Sequence, residues 1–133
     1  VIHQNDNVLD NMNDWCKVHH KKSGLTEHVK KSKINIEQAE ADTLRFVKQY
    51  VKEGETPLCG NSIHQDRTFL KEHMNTLDNY LHYRNIDISS IKELAFRWYP
   101  DFPKFVKKGN HTALDDIKES IDELKYYRKH FFK

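Results

Sequence analysis

Cysteine is scarce in this chain. Cys16 and Cys59 are the two present, far apart and outside any Cys-x-x-Cys pair. That argues against a disulfide framework and against structural zinc, and makes a reducing compartment the default. No apolar run is long enough to span a bilayer. No signal or transit peptide is visible. The chain opens at Val1 and not at a methionine, and its composition there is already that of a folded domain, so the true N-terminus is expected upstream. An excess of one charge is missing as well: 22 Lys and Arg face 20 Asp and Glu, a net charge of +2. Such a balance advertises no global field for long DNA or RNA, although a short nucleotide in a local pocket stays compatible. Repeats, low-complexity tracts and interdomain linkers are absent. The 133 residues allow one core and not two ordinary domains, so residues 1–133 read as a single domain. Hydrophobic residues at 37% and charged residues at 32% suit a soluble globular protein.

What is present reads as helix-rich with two short strands. From about Asp6 to His20, Val8, Leu9, Met12, Trp15 and Val18 make one apolar stripe, which predicts a helix. Ser23-Gly24 breaks it, and a short helix from Thr26 to Lys31 follows. A stronger helix is expected from Ile36 to Lys52, with Ala41, Leu44, Val47 and Val51 inward and Phe46 and Tyr50 at the edges. Gly54 and Thr56-Pro57 stop it. Leu58-Cys59-Gly60 reads as a short buried strand ending in polar Asn61-Ser62, where glycine permits a close approach. Helices are expected from His64 to His73 and from Thr76 to His82, then a strand at Asn85-Ile86-Asp87-Ile88. Ser89-Ser90 reads as the cap of the next helix, with Glu93 completing a capping box. After a loop from Asp101 to Asn110, a final helix from Thr112 to Phe131 presents Leu114, Ile117, Ile121 and Leu124 on one face.

Two segments carry residues suited to chemistry. In Gly60-Asn61-Ser62-Ile63-His64-Gln65-Asp66, an acid falls one turn into a helix that starts just after a strand. Ligands of open α/β sheets bind at the carboxyl ends of strands, which places Asp66 well. Read alone, Asp66 is better accounted for as a first-turn acid complementing the helix dipole. In His111-Thr112-Ala113-Leu114-Asp115-Asp116, a histidine and an acid lie about one and a half turns apart at a helix start. Carboxylates can hold a divalent cation that neutralises a phosphate, and histidine can take a proton from water. Alone, this group too is accounted for as helix capping.

Together these segments resemble the second and third exonuclease motifs of the DEDDh family. The match continues through Met12-Asn13-Asp14-Trp15, Lys22-Ser23-Gly24-Leu25, His82-Tyr83-Arg84, Ile91-Lys92-Glu93-Leu94-Ala95 with Arg97-Trp98, and Glu123-Leu124-Lys125-Tyr126-Tyr127-Arg128. Over nearly its whole length the chain resembles oligoribonucleases, which are 3′-to-5′ exoribonucleases. The resemblance implies an α/β, ribonuclease H-like exonuclease fold and hydrolysis of dinucleotides and very short RNAs to mononucleotides. It implies Asp66 and Asp116 as ligands of two Mg²⁺ or Mn²⁺ ions, Asp115 as a support for Asp116, and His111 as general base. Trp15 would stack on a base, which tolerates any base identity, and His20 would line the same pocket. Ser62 would hydrogen-bond the terminal phosphate of a short substrate. Tyr83, Arg84 and Ser89 would reach into the partner's site in a homodimer and close off the 5′ phosphate, a task for which guanidinium matches phosphate in charge and shape.

The sequence departs from the family at its first motif. No Asp-x-Glu occurs anywhere in the chain, and the strand bearing it is expected upstream of Val1. A hard cation needs several oxygens in near-octahedral geometry, so this polypeptide as it stands is expected to be inactive or nearly so. The alternative reading is a non-catalytic nucleotide-binding or dimerisation module lacking the first metal-binding motif. Trp15-Cys16-Lys17 followed by His19-His20 leans toward eukaryotic members, in which mitochondrial and cytosolic forms occur.

Overall fold

The computed structural model describes residues 1–106 and 113–132. The elements run α1 (Asp6–Asp10), α2 (Asp14–Lys22), α3 (Leu25–Lys31), α4 (Ile36–Val47), β1 (Pro57–Gly60), α5 (Ile63–His73), α6 (Asn75–Tyr80), β2 (His82–Asp87), α7 (Ile88–Trp98) and α8 (Ala113–Phe131). The architecture is α/β and helix-rich, with both expected strands present.

Asparagine side chains set the early helix starts. Asn5 accepts the Val8 N–H at 3.0 Å, Asn13 that of Cys16 at 2.8 Å and Asn35 that of Gln38 at 2.8 Å, each satisfying a donor that the helix itself leaves orphaned. Asn13 also corrects the first expectation: its cap begins a new helix, so the segment from Asp6 to His20 is two helices and not one. Gly24, at φ +77°, turns the chain into α3. The helix expected to reach Lys52 stops at Val47, where the tighter bonds Gln49 N–H to Phe46 O and Tyr50 N–H to Val47 O unwind it. Ala41 faces solvent and not the core, and α4 holds to the body through Leu44, Val47 and Glu40, whose carboxylate accepts the Leu77 N–H at 2.9 Å.

β1 and β2 pair in parallel, with α5 and α6 as the crossover between them. Gly60 lies opposite Asp87, so both strands end together, while a register irregularity after Pro57 leaves Tyr83 and Arg84 without partner residues on β1. β1 is not the buried strand expected: Cys59 is exposed, because one face of the strand looks onto an open cavity. Asp87, and not Ser89 or Ser90, caps α7 by accepting the Ser89 N–H at 2.9 Å, and Glu93 instead reaches Arg97 at 3.3 Å on the exposed face.

The core is small and lies where α7 meets α8. Ile88 and Ala95 pack on Tyr127, with Ile91, Leu124, Tyr126 and Phe131 around them. A separate interior contact joins α5 to α6. Arg67 and Asp78 are both buried, with Nε and Oδ1 2.5 Å apart yet out of line for a hydrogen bond. Other guanidinium N–H groups donate to the His82 carbonyl at 3.0 Å and the Asp78 carbonyl at 3.2 Å. The apolar stripe of α8 splits. Leu124 joins the core, whereas Leu114, Ile117 and Ile121 stay exposed, the latter two facing the cavity beside β1.

Candidate active site

At the carboxyl end of β1 the chain must turn sharply into α5. Gly60 leaves room for the Ile63 side chain, whose Cδ1 would lie 2.8 Å from a Cβ at that position. Ser62 completes the turn in the left-handed region at φ 50°, where a side chain carries a steric cost. Its backbone N–H is held by Asp87 Oδ1 and by Ser89 Oγ, each at 3.0 Å. The turn delivers Asp66 to the first turn of α5, and α8 delivers Asp116 to its own first turn. Both acids line one open cavity of about 840 Å³, together with Gly60, Asn61 and Ser120. Lys125 and Arg128 line the same cavity and bring positive charge to it.

Carboxylate oxygens on separate helices facing one space are donors of the right chemistry for a hard divalent cation. Among the described residues no group of three or more His, Cys, Asp or Glu side chains gathers to hold a metal. Asp66 and Asp116 are two carboxylates, fewer than the several oxygens that a hard cation requires.

Beside the cavity runs a connected polar network. Ser62 Oγ and Ser89 Oγ lie 3.3 Å apart. Ser89 donates to Asn61 Oδ1 at 3.2 Å, and Asn61 Nδ2 donates to Ser120 Oγ at 2.9 Å and Glu123 Oε2 at 3.1 Å. Glu123, only 1% exposed, also accepts from the buried Tyr127 hydroxyl at 3.2 Å. Burial, and then the neighbouring Glu123 charge, push the Tyr127 hydroxyl well above its ordinary pKa, so it stays a donor. His64 Nδ1 sits 3.4 Å from Asp87 Oδ2. Burial, followed by the Asp87 charge, also raises the Cys59 thiol.

The structure brings some of the expected residues together and separates others. Asp66 and Asp116 line the cavity, and Ser62 meets Ser89 beside it after the end of β1, neither serine being among the lining residues. Ser89 contacts Ser62 of its own chain, whereas Tyr83 and Arg84, grouped with it in the sequence, lie apart from both. Those two are exposed at the other end of β2, about 10 Å along the strand from Asp87. Arg84 Nε donates to the Tyr83 hydroxyl at 3.0 Å. Trp15 and His20 sit on α2, whose principal contact is α3, and neither lines the cavity. Trp15 is 64% exposed, and His19 stacks on one face with centroids 3.9 Å apart. His111 lies outside the described residues. Sequence reasoning passed over Asn61, Asp87, Ser120 and Glu123. For Asp87 a signal existed, an acid two residues ahead of a serine at a helix start.

Acids on two helices thus line one cavity at the carboxyl ends of parallel strands in an α/β fold. The Exonuclease family, RNase T, matches residues 1–124. An oligoribonuclease of Pseudomonas putida strain F1 is 55% identical over 134 residues, covering 100% of this chain and 74% of the relative. Oligoribonucleases of Pseudoalteromonas atlantica, at 55% over 99% of this chain, and Colwellia psychrerythraea, at 53% over 100%, are similar, each with 74% of the relative covered. The chain belongs to the exonuclease family, with its ribonuclease H-like fold, and within it to the oligoribonucleases. These relatives are bacterial, so the lean of Trp15-Cys16-Lys17 toward eukaryotic members gains no support. No helix among the described residues is long and apolar enough to cross a membrane.

Proposed function

We propose that Asp66, Asp116 and His111 are the catalytic centre of a 3′-to-5′ exoribonuclease, with Ser62, held against Ser89, as its phosphate-binding residue. The activity is that of the family: hydrolysis of short oligoribonucleotides, down to dinucleotides, to mononucleotides. One observation carries the site assignment. Asp66 and Asp116, fifty residues apart in sequence, line the same cavity beside a serine pair. That convergence favours the enzyme over a binding module.

Members of this family depend on divalent cations, and Asp66 and Asp116 would hold Mg²⁺ or Mn²⁺ here, two ions in a complete site. Such a cation neutralises charge developing on the phosphate. His111 takes the proton of the attacking water as its oxygen bonds to phosphorus and the bond to the 3′ oxygen breaks. Lys125 and Arg128, on the same wall, draw the phosphate in. Ser62 donates to the terminal 5′ phosphate, and Trp15 offers its open face to a base, with His20 alongside. Tyr83 and Arg84, exposed and mutually bonded, are suited to close the 5′ end of a partner subunit's substrate in a homodimer. The same proposal places the protein in the cytoplasm, on the bacterial relatives and the unpaired Cys16 and Cys59.

Calorimetric titration of Mn²⁺ into the natural protein tests the metal assignment without any turnover. Asp66→Asn and Asp116→Asn are each expected to weaken binding at least about tenfold, since each removes a carboxylate charge from a hard-cation site. Unchanged binding in both variants would overturn it.

A further inference from the structure

Asn61 occupies a position that neither the metal site nor the phosphate contact of Ser62 explains. It follows β1 directly, is half-buried, and uses its whole amide. Nδ2 donates to Ser120 Oγ at 2.9 Å and to Glu123 Oε2 at 3.1 Å, while Oδ1 accepts from Ser89 Oγ at 3.2 Å. Chemistry fixes this orientation. Nδ2 is the amide's only donor, so it faces the Glu123 carboxylate oxygen while the amide oxygen faces the Ser89 hydroxyl.

Two consequences follow for the serine pair. The Ser89 proton is committed to Asn61, so Ser89 Oγ can only accept on its other side. It does so from the Ser62 N–H at 3.0 Å and, across 3.3 Å, from the Ser62 hydroxyl. Ser62 is thereby left as the hydroxyl whose proton can turn to an incoming phosphate oxygen. On the other side, Ser120 Oγ donates to the Asp116 carbonyl at 2.8 Å, so Asn61 also grips the turn of α8 that carries Asp116.

We infer that Asn61 is a positioning residue that holds the Ser89 hydroxyl, so leaving the Ser62 hydroxyl to turn toward a substrate's 5′ phosphate, and ties both serines to the Asp116 turn. The inference rests on the proposed role of Ser62. It assigns to the strand end a specificity device for terminal phosphate, built from a residue that touches no substrate.

The test compares kcat/KM for a diribonucleotide carrying a 5′ phosphate with that for the same dinucleotide ending in a 5′ hydroxyl, using the natural protein and magnesium. Asn61→Asp keeps the side-chain shape but turns an acceptor oxygen toward the Glu123 carboxylate. It is expected to lower the ratio of the two values about tenfold, mostly by raising KM for the phosphorylated substrate. Combining Asn61→Asp with Glu123→Gln reverses the polarity of that bond and is expected to restore most of the ratio. If Asn61→Asp folds poorly, Asn61→Ala read by the same ratio replaces it, with the same fall expected. A purely structural residue would slow both substrates alike, and an unchanged ratio in a folded Asn61 variant overturns the inference. Ser62→Ala separates the two levels. If it leaves the ratio unchanged, the phosphate role of Ser62 fails and takes this inference with it. If it lowers the ratio while the Asn61 variants do not, the inference alone fails.

Discussion

Ser62 and Ser89 place their hydroxyls 3.3 Å apart across 27 residues of sequence, one in a left-handed turn after β1 and the other in the first turn of α7. The left-handed backbone of Ser62 costs on the order of 1 kcal/mol, a cost that glycine does not carry. Ser62→Gly is therefore expected to leave thermal stability unchanged or slightly raised while preference for a 5′-phosphorylated dinucleotide falls about tenfold. Melting temperature and kcat/KM on the same preparation check this, and a fall in stability with preference intact would contradict the assignment.

The buried Arg67–Asp78 contact is expected to be the most sensitive feature of the fold away from the cavity. Arg67→Met leaves the Asp78 carboxylate in the interior without its guanidinium, a change that costs about 3–5 kcal/mol. Replacing both, as Arg67→Met with Asp78→Leu, removes the uncompensated charge and is expected to recover most of the loss. Urea unfolding of the three proteins reads the coupling directly.

Tyr127 predicts an alkaline limit. Its hydroxyl is held above its ordinary value of 10.0 by burial and by Glu123, so its proton is bound more tightly in the folded chain than in the unfolded one. The contribution is complete below about pH 10 and is lost as pH rises from there, because the unfolded tyrosine then ionises first. Tyr127→Phe is expected to cost about 1 kcal/mol at neutral pH, through the lost bond to Glu123, and to flatten the fall above about pH 10. Melting curves from about pH 8 to about pH 11 measure both effects.

Much of this arrangement was legible in the residues. Periodicity and breakers located both strands and most helices, and the Gly60-to-Asp66 run pointed to the end of β1. The failures share a cause. Asn13 divides a continuous apolar stripe because a single side-chain cap outweighs periodicity, and Asp87 outcompetes the Ser89-Ser90 pair because its carboxylate also holds the Ser62 N–H. Asn61 and Glu123 were invisible as a pair, since 62 residues separate them and nothing local signals that both are buried together. Periodicity likewise cannot say which part of an apolar face will be covered, and Ile117 and Ile121 prove to face the cavity.

Release of mononucleotide from a 5′-phosphorylated diribonucleotide, with magnesium present, by the natural protein and its Asp116→Ala variant, tests the central claim most directly. The account predicts a loss of at least about 10³-fold in kcat with the fold retained, as expected when a ligand to the cation that stabilises the reacting phosphate is removed. Turnover by Asp116→Ala within tenfold of the unaltered protein would contradict it.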